Sequence, residues 1–157
     1  MKPYSSSNIV LISNAKPRII GLDIGDRRIG VAISDPLHLT AAGLETIERT
    51  NTKNDVQAVK NIAMRHGAVQ IVVGLPQNMD GSMGEQSEKV KSFAKKLARE
   101  TGLPIVYEDE RLTTISAIRT LTIQGVKTGH NKALVDQQAA AIILQKFLDR
   151  DTPPSTA

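Results

Sequence analysis

Three groups of acidic residues carry the chemistry this chain could perform. Asp23 stands in the run Ile19-Ile20-Gly21-Leu22-Asp23-Ile24-Gly25. An ionised carboxylate among apolar neighbours must be paired, hydrogen-bonded or bound to a metal, or it gives up its charge. Glu108-Asp109-Glu110, followed by Arg111, closes the apolar stretch that begins at Pro104, and Asp136 lies in Lys132-Ala133-Leu134-Val135-Asp136-Gln137-Gln138-Ala139-Ala140-Ala141. Mg²⁺ takes a few hard oxygen ligands and keeps several waters, so separate elements can each donate one carboxylate. Each acid also has an ordinary explanation. The cluster at 108–110 can cap a helix or pair with Arg111, and taken alone this is the stronger reading. Asp136 can pair with Lys132 one helical turn away, a reading of equal weight.

These residues need elements to position them. Ile20, Leu22 and Ile24 point to one side of an extended strand and Ile19, Gly21 and Asp23 to the other, so both faces are covered and the strand is central. Gly25-Asp26-Arg27-Arg28 makes a turn, and Arg28 to Ser34 returns as an antiparallel partner. Leu39 to Ile47 supplies a third strand with a bulge or bend at Gly43. A helix begins near Thr52 or Asn54, buries Val56, Val59, Ile62 and Ala63, and stops near Gly67. Val69 to Gly74 is too apolar for an exposed edge strand. A loop from Leu75 to Glu85 follows, then a helix carrying Val90, Phe93, Ala94 and Leu97 that closes at Gly102, and a fifth strand from Pro104 to Tyr107. Alternation lets one of Asp109 and Glu110 face the crevice at that strand's carboxyl end, without choosing which. Helices over Thr114–Gln124 and from Lys132 to about Asp149 complete the order, joined by an exposed, mobile segment at 125–131. On the last helix Asp136 shares a stripe with Ala139, Ala140, Ile143 and Phe147, and the alanines allow close approach to the sheet.

Composition narrows the function classes. With 157 residues and 40% hydrophobic content the chain can bury a real core. The expected organisation is a flexible tail over 1–16, one domain over 17–150 and a flexible tail over 151–157. A formal net charge of +4 suits contact with polyanions without demanding it. The absence of cysteine excludes disulfides and thiolate metal sites, which makes the cytoplasm the expected compartment. The apolar piece Ile9–Ile12 is too short to cross a membrane. Aromatic residues make up only 3% of the chain, so a base-stacking platform for single strands is missing. Recognition of nucleic acid would rest on phosphates, shape and a metal. His38, His66 and His130 lack metal-ligand spacing and are expected at the surface, with His130 within reach of phosphate.

Taken in order, Gly21-Leu22-Asp23-Ile24-Gly25 with Ile29-Gly30-Val31-Ala32, Val73-Gly74-Leu75-Pro76 with Asn78-Met79-Asp80-Gly81, Asp109-Glu110-Arg111-Leu112-Thr113-Thr114, and Asn131-Lys132 with Val135-Asp136 and Ala139-Ala140 resemble the YqgF family of RNase H-like nucleases. The resemblance implies an α/β, RNase H-like fold with a mixed five-stranded sheet, its first three strands antiparallel, flanked by helices. It also implies that Asp23, Glu110 and Asp136 are the catalytic, metal-holding carboxylates, which chooses Glu110 over Asp109. The chemistry implied is hydrolysis of phosphodiester bonds in structured nucleic acid with Mg²⁺, or Mn²⁺ in its place. Arg111 and Lys132 would neutralise substrate phosphates and Asn78 would contact substrate, while Arg27 and Lys127 read as solvated cations. Processing of the 5′ end of pre-16S ribosomal RNA, in contact with ribosomal precursor particles, is the implied task. Cleavage of four-way DNA junctions and a catalytically silent binding module are the alternatives. Related junction resolvases carry another acid where this chain has Ala139, so the second metal position is open. The protein would work as a monomer or a homodimer away from membranes.

Overall fold

The computed structural model describes residues 17–78, 80–111, 115 and 129–151. The expected tails, the helix over Thr114–Gln124 apart from Ile115, and Lys127 lie outside the described residues. The strands are β1 (Arg18–Ile24), β2 (Arg28–Ser34), β3 (Ala41–Glu48), β4 (Ala68–Leu75) and β5 (Ile105–Asp109). The helices are α1 (Thr52–Arg65), α2 (Glu85–Thr101) and α3 (Gly129–Asp151). Together they form the RNase H-like arrangement, one sheet in the order β3-β2-β1-β4-β5. β2 runs antiparallel to both β1 and β3, while β4 is parallel to both β1 and β5.

β1 is central because both of its faces are apolar, and the two faces feed two separate cores. Ile20, Leu22 and Ile24 join Ile29, Val31, Ile71, Val73 and the inner stripes of α1 and α2. Ile19 and Val72 join Ala139, Ala140, Ile143, Leu144 and Phe147 of α3 on the opposite face. Ile115 is buried in this second core.

Local signals account for most of the boundaries. α2 ends at Gly102, whose φ of 70° and N–H donated to the Ala98 carbonyl make a left-handed cap. α1 is capped by Asn51, one residue before the expected position, its side chain accepting from the Asn54 N–H at 2.9 Å. The register between β2 and β3 slips between Val31 and Ala32, opposite Glu45 and Gly43, as a bulge there requires. α3 starts at Gly129, so the end of the segment expected to be a mobile loop is helical. His38 is half-buried at the surface, its ring nitrogen against the Pro17 carbonyl.

Candidate functional site

Asp23 is 4% exposed and sits on the α3 face of the sheet. Its antiparallel partner is Gly30 on β2, and extending the parallel register one step past Leu22 and Val73 sets Gly74 of β4 on its other side. Paired residues share a face, so two glycines without side chains flank the buried aspartate. Both spaces are filled from elsewhere. A Cβ on Gly30 would overlap the main-chain carbonyl of Asp136, and one on Gly74 would come 2.9 Å from the Glu110 Oε2. The structure therefore gathers Asp23, Glu110 and Asp136 over one row of the sheet.

Each acid arrives by a different route. Asp23 comes from strand alternation alone. Glu110 follows the last residue of β5, and its N–H donates to the Leu75 carbonyl at 3.2 Å, tying it to the end of β4. Asp136 is delivered by α3, whose N-terminal half is fastened to β3: the Thr46 hydroxyl donates to the Ala133 carbonyl at 2.7 Å, and the Gln137 amide donates to the Thr46 Oγ1 at 3.3 Å.

Asp109 and Arg111 have another task. The Arg111 Nε and Nη2 hold the Asp109 Oδ2 at 2.8 and 2.7 Å. The hydrogen bond from this side chain holds the Asp109 carboxyl below the usual carboxylate range and raises the Arg111 guanidinium above its own. Arg111 also packs against Gly81 in the β4–α2 loop. Any phosphate contact by Arg111 must compete with that ion pair. In the same loop Asn78 is exposed and donates to the Ser82 Oγ at 2.9 Å, and Asp80 accepts from the Ser82 hydroxyl and N–H. Lys132 is exposed and makes no ion pair among the described residues.

Asp136 pairs with a residue absent from the sequence reading of the site. The Arg28 Nε donates to its Oδ2 at 2.5 Å, with the two side chains 23% and 17% exposed. The signal was present in β2: Arg28 lies two residues before Gly30 and so on the same face. What spacing could not reveal is a contact across 108 positions of sequence.

As donors, three carboxylates on one face suit a hard divalent cation in kind. Among the described residues no three His, Asp or Glu side chains stand close enough to hold one ion, and Asp136 is turned to Arg28. The aromatic residues of the described chain are committed to packing: Phe93 and Phe147 are buried, with Arg49 over Phe93, and Tyr107 lies against the first core.

Comparison with known proteins places this arrangement in context. Residues 17–150 match the family model described as RuvX, Holliday junction resolvase. A Moorella thermoacetica protein named "Putative pre-16S rRNA nuclease" is 50% identical over 85% of this chain and 95% of its own length. A Gloeobacter violaceus protein of the same name is 50% identical over 83% of each chain. Among solved structures, Thermus thermophilus RuvC in complex with a Holliday junction substrate aligns with TM-score 0.55 at 16% identity, covering 85% of this chain and 95% of that one. The fowlpox virus Holliday junction resolvase aligns at 0.50 and 17% identity, covering 85% and 99%. At these identities the structural likenesses speak for the fold.

Proposed function

Because the chain belongs to the RuvX family of Holliday junction resolvase-like proteins, we propose that it is a divalent-metal-dependent endonuclease acting on structured nucleic acid, with the pre-16S ribosomal RNA precursor as its substrate. The observation that carries the reading is the convergence of Asp23, Glu110 and Asp136 over the Gly30–Asp23–Gly74 row. Relatives at 50% identity that bear the rRNA nuclease name support RNA over DNA as the substrate.

In this reading Asp23, Glu110 and Asp136 hold Mg²⁺, or Mn²⁺ in its place. When bound, the ion supplies an activated water and charge stabilisation on the leaving oxygen. Asp23 is the fixed member, since its strand is central and its side chain buried. Glu110 and Asp136 reach in from the end of a strand and from a helix. Lys132, one turn before Asp136 and exposed, offsets the repulsion between the carboxylates and the phosphate backbone. Asn78, exposed on the β4–α2 loop, contacts substrate alongside it. With the aromatic side chains of the described residues committed to packing, recognition rests on backbone and shape.

The test is cleavage of a pre-16S leader RNA and of a four-way DNA junction, side by side, with Mg²⁺ and with EDTA, by the wild type and by Asp23→Asn, Glu110→Gln and Asp136→Asn. Metal-dependent cutting of the RNA should fall in each folded variant by more than the about 10–100-fold that loss of an outer-shell partner costs a metal site. Cutting of the junction alone would replace RNA with DNA in this assignment. Binding without cutting of either, in Mg²⁺ and in Mn²⁺, would leave a nucleic-acid-binding module.

A further inference from the structure

Arg28 and Asp136 form a pair built from two well-anchored backbones. The turn before β2 is closed by the Gly25 N–H donating to the Arg28 carbonyl at 2.9 Å, and the Arg27 carbonyl accepts from the Arg49 N–H at 2.9 Å. On the other side, the main chain of Asp136 rests on Gly30, and Thr46 and Gln137 hold the flanking turns of α3 to β3. What remains adjustable is the pair of side chains. The contact is one-armed: Nε meets Oδ2, and the guanidinium makes no other hydrogen bond among the described residues.

A carboxylate oxygen that accepts a short charged hydrogen bond is poorly placed to coordinate a cation, and a guanidinium next to a divalent ion is repelled by it. Arg28 and the metal are therefore alternatives at the Oδ2 of Asp136. We propose that Arg28 is a positioning residue: its guanidinium occupies the cation position at Asp136, holds the carboxylate turned away from Asp23 and Glu110, and is displaced when a divalent ion binds. This rests on the metal-dependent reading above and deepens it by naming what the ion must compete with. The partial exposure of both side chains gives the exchange a route from solvent. It also accounts for three acids that share a face yet do not close on one point.

The experiment measures binding directly, apart from cleavage. Mn²⁺ is titrated calorimetrically into the wild type, Arg28→Gln and Arg28→Lys. Removing the competitor should tighten Mn²⁺ binding about fivefold in Arg28→Gln, and Arg28→Lys, which keeps the charge, should stay close to the wild type. In parallel, the Arg28 Nε–H resonance of ¹⁵N-labelled wild type is followed during Mg²⁺ addition. It should shift and exchange faster with water at saturation. Unchanged or weaker Mn²⁺ binding by Arg28→Gln, with the wild type binding normally, would overturn the role of Arg28 and leave the nuclease reading intact. An Nε–H signal unmoved at Mg²⁺ saturation would do the same even if the variants misfold. Failure of all three proteins to bind Mn²⁺ would remove both proposals together.

Discussion

Neighbouring acids at the end of β5 meet opposite fates because each step along a strand turns the side chain over. Glu108 is buried on the α3 face, its Oε2 accepting from the Arg150 Nη1 at 2.7 Å, while Asp109 turns to the other side and is held by Arg111. The lowered Asp109 carboxyl has a consequence for stability. A folded-state pKa below the unfolded value contributes stability that is present above about pH 4 and is lost as pH falls through the folded-state pKa. Asp109→Asn should therefore lower the melting temperature at pH 7, and the gap from the wild type should close on acidification toward pH 2. Thermal denaturation across that range checks it. A constant gap would mean that the amide loses something other than charge. The ambiguity between Asp109 and Glu110 could not be resolved from the residues themselves, since it depends on where β5 ends and the chain departs. The Arg28–Asp136 pair was hidden for a related reason: no local pattern records which helix residue will lie over which strand.

At the scale of elements, closeness between α3 and the sheet is the controlling quantity. Gly21 meets the Leu144 Cβ at 2.7 Å from an ideal Cβ position, and Gly30 leaves no room at all beneath Asp136. Gly30→Ala should consequently push α3 away or distort β2, at the about 1–3 kcal/mol typical of overpacking. Cleavage should fall with it, because Asp136 rides on the displaced segment. Urea denaturation together with the cleavage assay checks this, and unaltered stability would show that the helix yields freely. Much of this layer was readable in advance. The alternation in β1 named its two faces correctly, and the alanine stripe announced a helix lying close to the sheet. Gly129 and His130 have loop-like composition, yet α3 begins at Gly129. The cap of α1 fell one residue early for a simpler reason: Asn51, Thr52 and Asn54 are all competent caps, and only the backbone at Asn51, extended at φ −142° and ψ 161°, selects among them.

For the molecule as a whole, a formal net charge of +4, combined with aromatics that among the described residues are committed to packing, favours binding dominated by phosphates. Affinity for structured RNA should then fall steeply between 50 and 200 mM salt and vary little with loop sequence. Fluorescence anisotropy on two leader RNAs of equal shape and different sequence measures both; a flat salt response would point to base readout. No helix among the described residues is long and apolar enough to cross a membrane. The fold also spaces the proposed metal-holding residues far along the chain. Asp23 lies on the first described strand and Asp136 on the last described helix, and the second core does not exist until α3 covers Ile19 and Val72. During synthesis the sheet emerges before the helix that completes it, with one apolar face bare for that interval. The proposed metal centre is thereby timed as well as shaped. A nascent chain is unarmed until α3 docks, and a chain stopped short of α3 would present a sticky sheet in place of a nuclease.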